Sequence, residues 1–183
     1  MEEEKNLWIA AAREAGFEQA VLTDPALLSP DPRVREACAA DRCGAYGKNW
    51  TCPPAVGTLG ECAERLRSFS ACLLVQTVYP LEKTIDTKGY RAAEELHRKR
   101  LGELGAKLRG NFSELLVLGA GGCRVCPVCA CPEPCRAPEK AQSSMEAYGL
   151  FVTRVCRDAG LAYYYGPKTI AYTGCILFDK KEE

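Results

Sequence analysis

The feature that most constrains this chain is the run Gly119-Ala-Gly-Gly-Cys123-Arg-Val-Cys126-Pro-Val-Cys129-Ala-Cys131-Pro-Glu-Pro-Cys135, which places five cysteines in thirteen residues. Upstream lies a second constellation, Cys38-x4-Cys43-Gly-Ala-Tyr-Gly-Lys-Asn-Trp-Thr-Cys52-Pro-Pro, followed by Cys62. Twelve cysteines among 183 residues is well above globular usage. Their meaning depends on the compartment. The acidic start Met1-Glu2-Glu3-Glu4-Lys5 carries no signal-type apolar segment, and no apolar run reaches membrane-spanning length. A cytoplasmic protein is expected, where clustered thiols bind metal or do redox work rather than form structural disulfides.

The later run resembles C-x2-C-x2-C-x3-C-P, the iron–sulfur run of bacterial ferredoxins, but departs from it after Cys129, where the fourth ligand is Cys131, which precedes Pro132, or Cys135. A cubane needs several thiolates aimed inward from one short loop, with nearby backbone N–H groups offsetting its negative charge. Zinc is the alternative. With one histidine in the chain it would need four cysteines, ordinarily two CxxC knuckles a dozen or more residues apart. Cys123, Cys126, Cys129 and Cys135 are the expected [4Fe–4S] ligands. Cys131 is the spare, because Cys135 leaves the loop more room.

The earlier constellation admits two readings. Cys38, Cys43, Cys52 and Cys62 form a second four-thiolate site, or Cys62 is a small core residue on the helical face of Leu59 and Leu66. Gly44 and Gly47 permit tight backbone there, and Pro53-Pro54 stiffens the exit. Cys72, Cys156 and Cys175 fall in apolar patterns and read as core.

Periodicity predicts helices over 5–16, 58–69 and 88–109, and a further helix from a capping box at Ser143-Ser144-Met145-Glu146 to about Gly160. Strands are predicted over 17–22, 71–79, 114–118, 161–165 and 170–178. Residues 24–57 and 119–137 read as irregular loops. The apolar run 71–79 marks a central strand buried on both faces. Alternating helices and strands imply an α/β or α+β fold with a central sheet, and the length implies a single domain over 1–183. The strand order does not follow from the pattern.

Several other chemistries are excluded. Arg124 stands where G-x-G-x-x-G needs glycine, Arg42 interrupts any Walker loop, and Pro138 stands where a radical S-adenosylmethionine motif needs cysteine. Overlapping CxxC pairs from Cys123 to Cys129 would interfere as a thioredoxin-type site. His97, the only histidine, lies in His97-Arg98-Lys99-Arg100, expected to be a solvated helix face with no catalytic role. Balanced charge, 24 basic against 24 acidic residues, argues against nucleic-acid binding.

The segments CGAYGKNWTCPPAVGTLGEC and GGCRVCPVCACPEPCRAPEKAQSSMEAYG resemble the family of predicted metal-binding proteins known as domain of unknown function 2284. The resemblance runs from about Cys38 to the last strand. It implies metal binding, as an iron–sulfur protein of anaerobic bacteria and archaea, through cysteines matching Cys123, Cys126, Cys129 and Cys135 and through Cys43 and Cys52. Cys131 departs from the family pattern. The expectation is an electron-transfer or redox-support protein with one or two [4Fe–4S] clusters and a redox partner protein, with no membrane or nucleic-acid partner. A zinc-stabilised interaction module and a redox enzyme with an open cluster site are the alternatives.

Overall fold

The structure, a computed structural model, describes residues 2–112 and 114–179, with side chains from residue 6 onward. Met1, Ser113 and residues 180–183, which the single-domain expectation includes, lie outside the described residues. In chain order the elements are α1 (Glu2–Glu14), β1 (Gln19–Thr23), α2 (Pro32–Ala39), α3 (Leu59–Arg67), β2 (Ala71–Pro80), α4 (Thr87–Arg109), β3 (Leu115–Gly119), β4 (Ser143–Ser144), α5 (Val152–Asp158) and β5 (Thr169–Phe178). Short 3-10 turns occupy Pro25–Leu27 and Glu146–Tyr148.

The sheet runs β1-β2-β5-β3-β4. Every pairing is antiparallel except the short parallel contact of β3 with β4. The fold is therefore α+β. Alternation along the strands divides two cores. Leu73, Val75, Val117, Ile176 and Phe178 face α1 and α4, meeting Ala12, Leu101, Leu104 and Leu108. Cys72, Leu74, Leu118, Cys175 and Leu177 face the other side, meeting Leu66 of α3, Val155 of α5, Met145 and Leu150. The three structural cysteines are fully buried, as the pattern predicts. β2 is buried on both faces because α4 covers one side and α3 and α5 the other.

Local chemistry explains most boundaries. Thr58 and Glu61 form a reciprocal capping box at the start of α3. Gly16, at φ 92°, ends the α1 segment where a C-terminal glycine is favoured.

Five expectations need correction. Residues 32–39, inside the segment read as irregular, form α2. Asp31 caps it by accepting from the Arg33 N–H, and Pro32 occupies the first turn, where its missing N–H costs nothing. The Ser143–Glu146 capping box does not form: only a single 3-10 turn follows, its N-cap Met145 makes no side-chain cap, and Ser144 Oγ accepts from the Ala147 N–H at 3.0 Å. Left-handed Gly149, at φ 78°, stops the turn, and α5 begins at Val152. Residues 161–165 are not a strand: β5 already fills the sheet position beside β2. That segment lies over β2 instead, with Ala162 O accepting from Gln76 and Tyr165 donating to it. β1 begins at Gln19, so Phe17 is a core residue preceding it. Finally, His97 is 1% exposed. It continues the buried stripe of Ala93, Leu101, Leu104 and Leu108, and its Nδ1 lies 3.0 Å from Thr77 Oγ1. Burial, reinforced by Arg100, lowers its pKa to about 3.

Candidate metal centre

The cysteine loops meet at one end of the sheet. β3 runs to Gly119 and the chain returns as β4 beside it, pairing Leu118 with Ser143 and Gly119 with Ser144. Residues 120–142 are thus an excursion whose two ends are fixed to the same sheet edge. Gly121, at φ 73°, makes the first turn, and a Cβ there would meet Glu94 Oε1 of α4 at 3.0 Å. This turn delivers Cys123. Arg124 then pairs with the same Glu94 at 3.3 Å, tethering the excursion to α4.

The earlier loop starts from the last turn of α2, which carries Cys38. Asp41 organises it, accepting from the Tyr46 N–H at 2.9 Å and from Lys48 at 3.4 Å. The Tyr46 N–H is the main reason that the Asp41 carboxyl is held below its ordinary pKa. The Gly47 N–H donates to Pro53 O at 2.9 Å and closes the segment between Cys43 and Cys52.

Two adjacent residues join the loops. Asn49 donates to Cys123 O at 3.4 Å, and its own carbonyl accepts from the Thr51 N–H and hydroxyl, both at 3.0 Å. Trp50 Nε1 donates to Glu133 O at 2.8 Å.

The joined loops enclose two hollows. One, of about 360 Å³, is lined by Cys38, Cys43, Cys52 and Cys123, together with Tyr46 and Glu146. The other, of about 20 Å³, is lined by Cys123, Cys126, Cys129 and Cys135, together with Trp50 and Arg136. Cys123 borders both. Cys131 borders neither, and Cys62 lies elsewhere, buried on α3. The Cys62 sulfur accepts from Arg35 Nη2 at 3.4 Å and donates weakly to Val56 O at 3.7 Å. Arg35 also donates to Gly57 O at 2.7 Å and to Ala147 O at 2.9 Å, so Cys62 sits in the joint between α2, α3 and the Glu146 turn.

The thiols differ electrostatically. Burial pushes Cys38 up, against the pull of Arg35. Burial also pushes Cys52 up, assisted by Cys43. Cys129 moves the other way. Backbone N–H groups of Cys131, Trp50 and Ala130 favour its thiolate, with Arg136 adding to them. Burial raises the Glu146 carboxyl in the larger hollow.

The donor set suits a soft metal centre. All the lining thiols are free, and the smaller hollow already aims N–H groups at a sulfur. Among the described residues, no three His, Cys, Asp or Glu side chains converge as ligands of one ion. The thiols instead surround volume. The larger hollow has room for a polynuclear group, whereas the smaller, about the size of one water, must widen to take one.

Sequence reasoning missed Asn49, Trp50, Arg35 and Glu146. The first two lie between Cys43 and Cys52, and that position was the available signal. Glu146 was read only as a capping residue. Arg35 had no sequence signal, because its partners lie 22 to 112 residues away.

Two solved structures of epoxyqueuosine reductase resemble the chain. The first, from Bacillus subtilis, has TM-score 0.48 and 11% identity over 100% of this chain and 47% of that one. The second, a selenomethionine-labelled form, has TM-score 0.47 and 11% identity over 96% of this chain and 46% of that one. The chain spans about half the length of these structures. No curated protein matches the sequence. No helix among the described residues is long and apolar enough to cross a membrane. The model of the predicted metal-binding proteins, domain of unknown function 2284, matches residues 23–178, and the chain belongs to that family.

Proposed function

We propose that this protein is an iron–sulfur protein that passes single electrons to and from a redox partner protein. The observation that carries this reading is the pair of adjoining thiol-lined hollows sharing Cys123. Thiolates from Cys38, Cys43, Cys52, Cys123, Cys126, Cys129 and Cys135 would hold one or two [4Fe–4S] clusters. Such a cluster supplies a one-electron couple, tuned by burial and by hydrogen bonds to its sulfurs.

The chain's own residues set those conditions. Trp50 contributes its backbone N–H to the Cys129 sulfur and its indole N–H to Glu133 O, so a single residue serves both electrostatics and loop closure. Arg136 places positive charge beside the Cys129 thiolate. Arg124 is occupied by Glu94. The raised thiols of Cys38 and Cys52 must lose protons on taking up metal, so loading releases protons and weakens in acid.

The test is the content of iron, acid-labile sulfide and zinc per chain in protein purified without oxygen. About four or eight irons with matching sulfide supports the proposal. Stoichiometric zinc without sulfide overturns it. Cys126→Ala should abolish the absorbance of the cluster it ligates, and an unchanged spectrum would remove Cys126 from the ligand set.

A further inference from the structure

We infer that the hollow between α4 and the turn after β3 binds the phosphate group of a small phosphate monoester, beside the larger thiol-lined hollow. The inference uses no metal and goes beyond the iron–sulfur reading above.

This hollow has a volume of about 310 Å³. Arg98 and Lys99 of α4 line it, as do Arg124 and Lys140 of the loop excursion, against a single lining carboxylate, that of Glu103. Both guanidinium groups rest on one oxygen of Glu94, Arg124 through Nε at 3.3 Å and Arg98 through Nη1 at 3.7 Å. Glu94 thus offsets one of their two charges and holds both groups in place, while most of their N–H donors stay unused. Among the described residues, Lys99 and Lys140 pair with no carboxylate. A hollow lined by one sign of charge concentrates the opposite ion.

Neutral donors add to the cations. The backbone N–H groups of Ala120, Gly121 and Gly122, which line the hollow, donate to no described group. Successive free N–H groups in a turn are suited to an anion. The Gln142 side-chain amide also lacks a hydrogen-bond partner among the described residues. It lies over Gly102 and Gly119, where a Cβ would meet its Nε2 at 3.6 Å and its Oε1 at 3.9 Å. These two glycines leave the floor of the hollow open.

Cations from a helix and a loop, with N–H groups from the turn, suit a tetrahedral group that accepts in several directions. A planar carboxylate is satisfied by one guanidinium fork. The volume exceeds what a phosphate alone needs, so the phosphate brings an organic remainder. Gly121, Gly122, Cys123 and Arg124 line both this hollow and the larger thiol-lined one, so the phosphate anchors its molecule next to the metal centre.

The test is calorimetric titration of the full chain, prepared without oxygen, in low-salt buffer at neutral pH. The probes are glycerol 3-phosphate, inorganic phosphate and succinate. Glycerol 3-phosphate should saturate one site per chain and bind more tightly than the other two. Lys140→Gln should weaken it at least about tenfold. Gly102→Leu, which fills the floor from a helical position, should abolish binding. Lys88→Gln, on α4 outside the hollow, should leave binding unchanged. If Gly102→Leu does not fold, the exposed position Lys140 decides. No saturable binding of glycerol 3-phosphate overturns the site, as does binding that persists in folded Gly102→Leu or falls equally in Lys88→Gln and Lys140→Gln. Equal or tighter binding of succinate or inorganic phosphate overturns the monoester assignment. Protein without iron or sulfide would overturn the iron–sulfur reading alone, because the same titration still decides this site.

Discussion

The sheet and the loops of this protein treat the same side chain in opposite ways. Cys72 and Cys175 lie diagonally across β2 and β5 in a dry core, Cys72 opposite Leu177 and Cys175 opposite Leu74. The neighbouring Cys175 thiol and complete burial hold the Cys72 pKa well above its ordinary value. Cys129 is half-buried in an irregular turn where backbone N–H groups lower its pKa. A strand spends its N–H groups on the next strand, whereas a loop can turn them toward a sulfur. Reactive or metal-binding thiols therefore belong in the loops, and the sheet makes cysteine a small apolar residue.

The sharpest way to break this contrast is thiol alkylation of metal-free, reduced protein at neutral pH. Cys129 should react with iodoacetamide at least about a thousandfold faster than Cys72 or Cys175, which become accessible only through unfolding. Comparable rates would show that the sheet opens locally.

The next effect is pH dependence arising in the sheet-side core. The His97 pKa of about 3 lies below the ordinary value of about 6.5, so the unfolded chain takes up its proton first. The contribution of neutral His97 is complete above about pH 6.5 and is lost as pH falls toward 3, a change of up to roughly 5 kcal/mol. Denaturant unfolding of metal-free protein across that window should show the slope, and His97→Gln should flatten it. An unchanged slope would assign the acid sensitivity to other groups.

Separability of the two regions is tested by paired substitutions. Leu177→Ala, at a fully buried position of β5, should cost about 2–5 kcal/mol in metal-free protein. Cys129→Ser should change that stability by less than about 0.5 kcal/mol. Equal losses would mean that loops and sheet unfold as one unit. The smallest effect falls at the joint between the loops. Trp50→Phe removes the indole donor to Glu133 O and should cost about 1 kcal/mol. Hydrogen exchange should read it as faster exchange in 40–57 and 121–137 with β2 unaffected.

Much of the sheet and its helices was legible because their signals are local. The α4 stripe, the Thr58–Glu61 box and the apolar run of β2 each depend on residues a few positions apart. His97 shows how a local signal can be outvoted wrongly. It sits in register with Ala93 and Leu101, yet its charged neighbours suggested a solvated face. Periodicity reports which face a residue occupies, while charge at adjacent positions reports the other faces. Ser143–Glu146 failed for a different reason: the residues of a capping box are there, but the turn starts after Met145 without a side-chain cap, and Gly149 ends it.

By itself, the sequence determined that thiols would gather in two Gly- and Pro-rich loops away from the apolar strands, because backbone-breaking residues and cysteines are interleaved there. Only the tertiary structure decided which thiols share a space. Cys123 stands 71 residues from Cys52 in the chain, yet they line one hollow, while Cys62, ten residues from Cys52, does not. The return of β4 alongside β3, and the hold of Asn49 and Trp50 on the later loop, bring those distant thiols together. Spacing along a chain constrains the thiols of one loop, and the grouping of thiols from separate loops is set by how those loops pack.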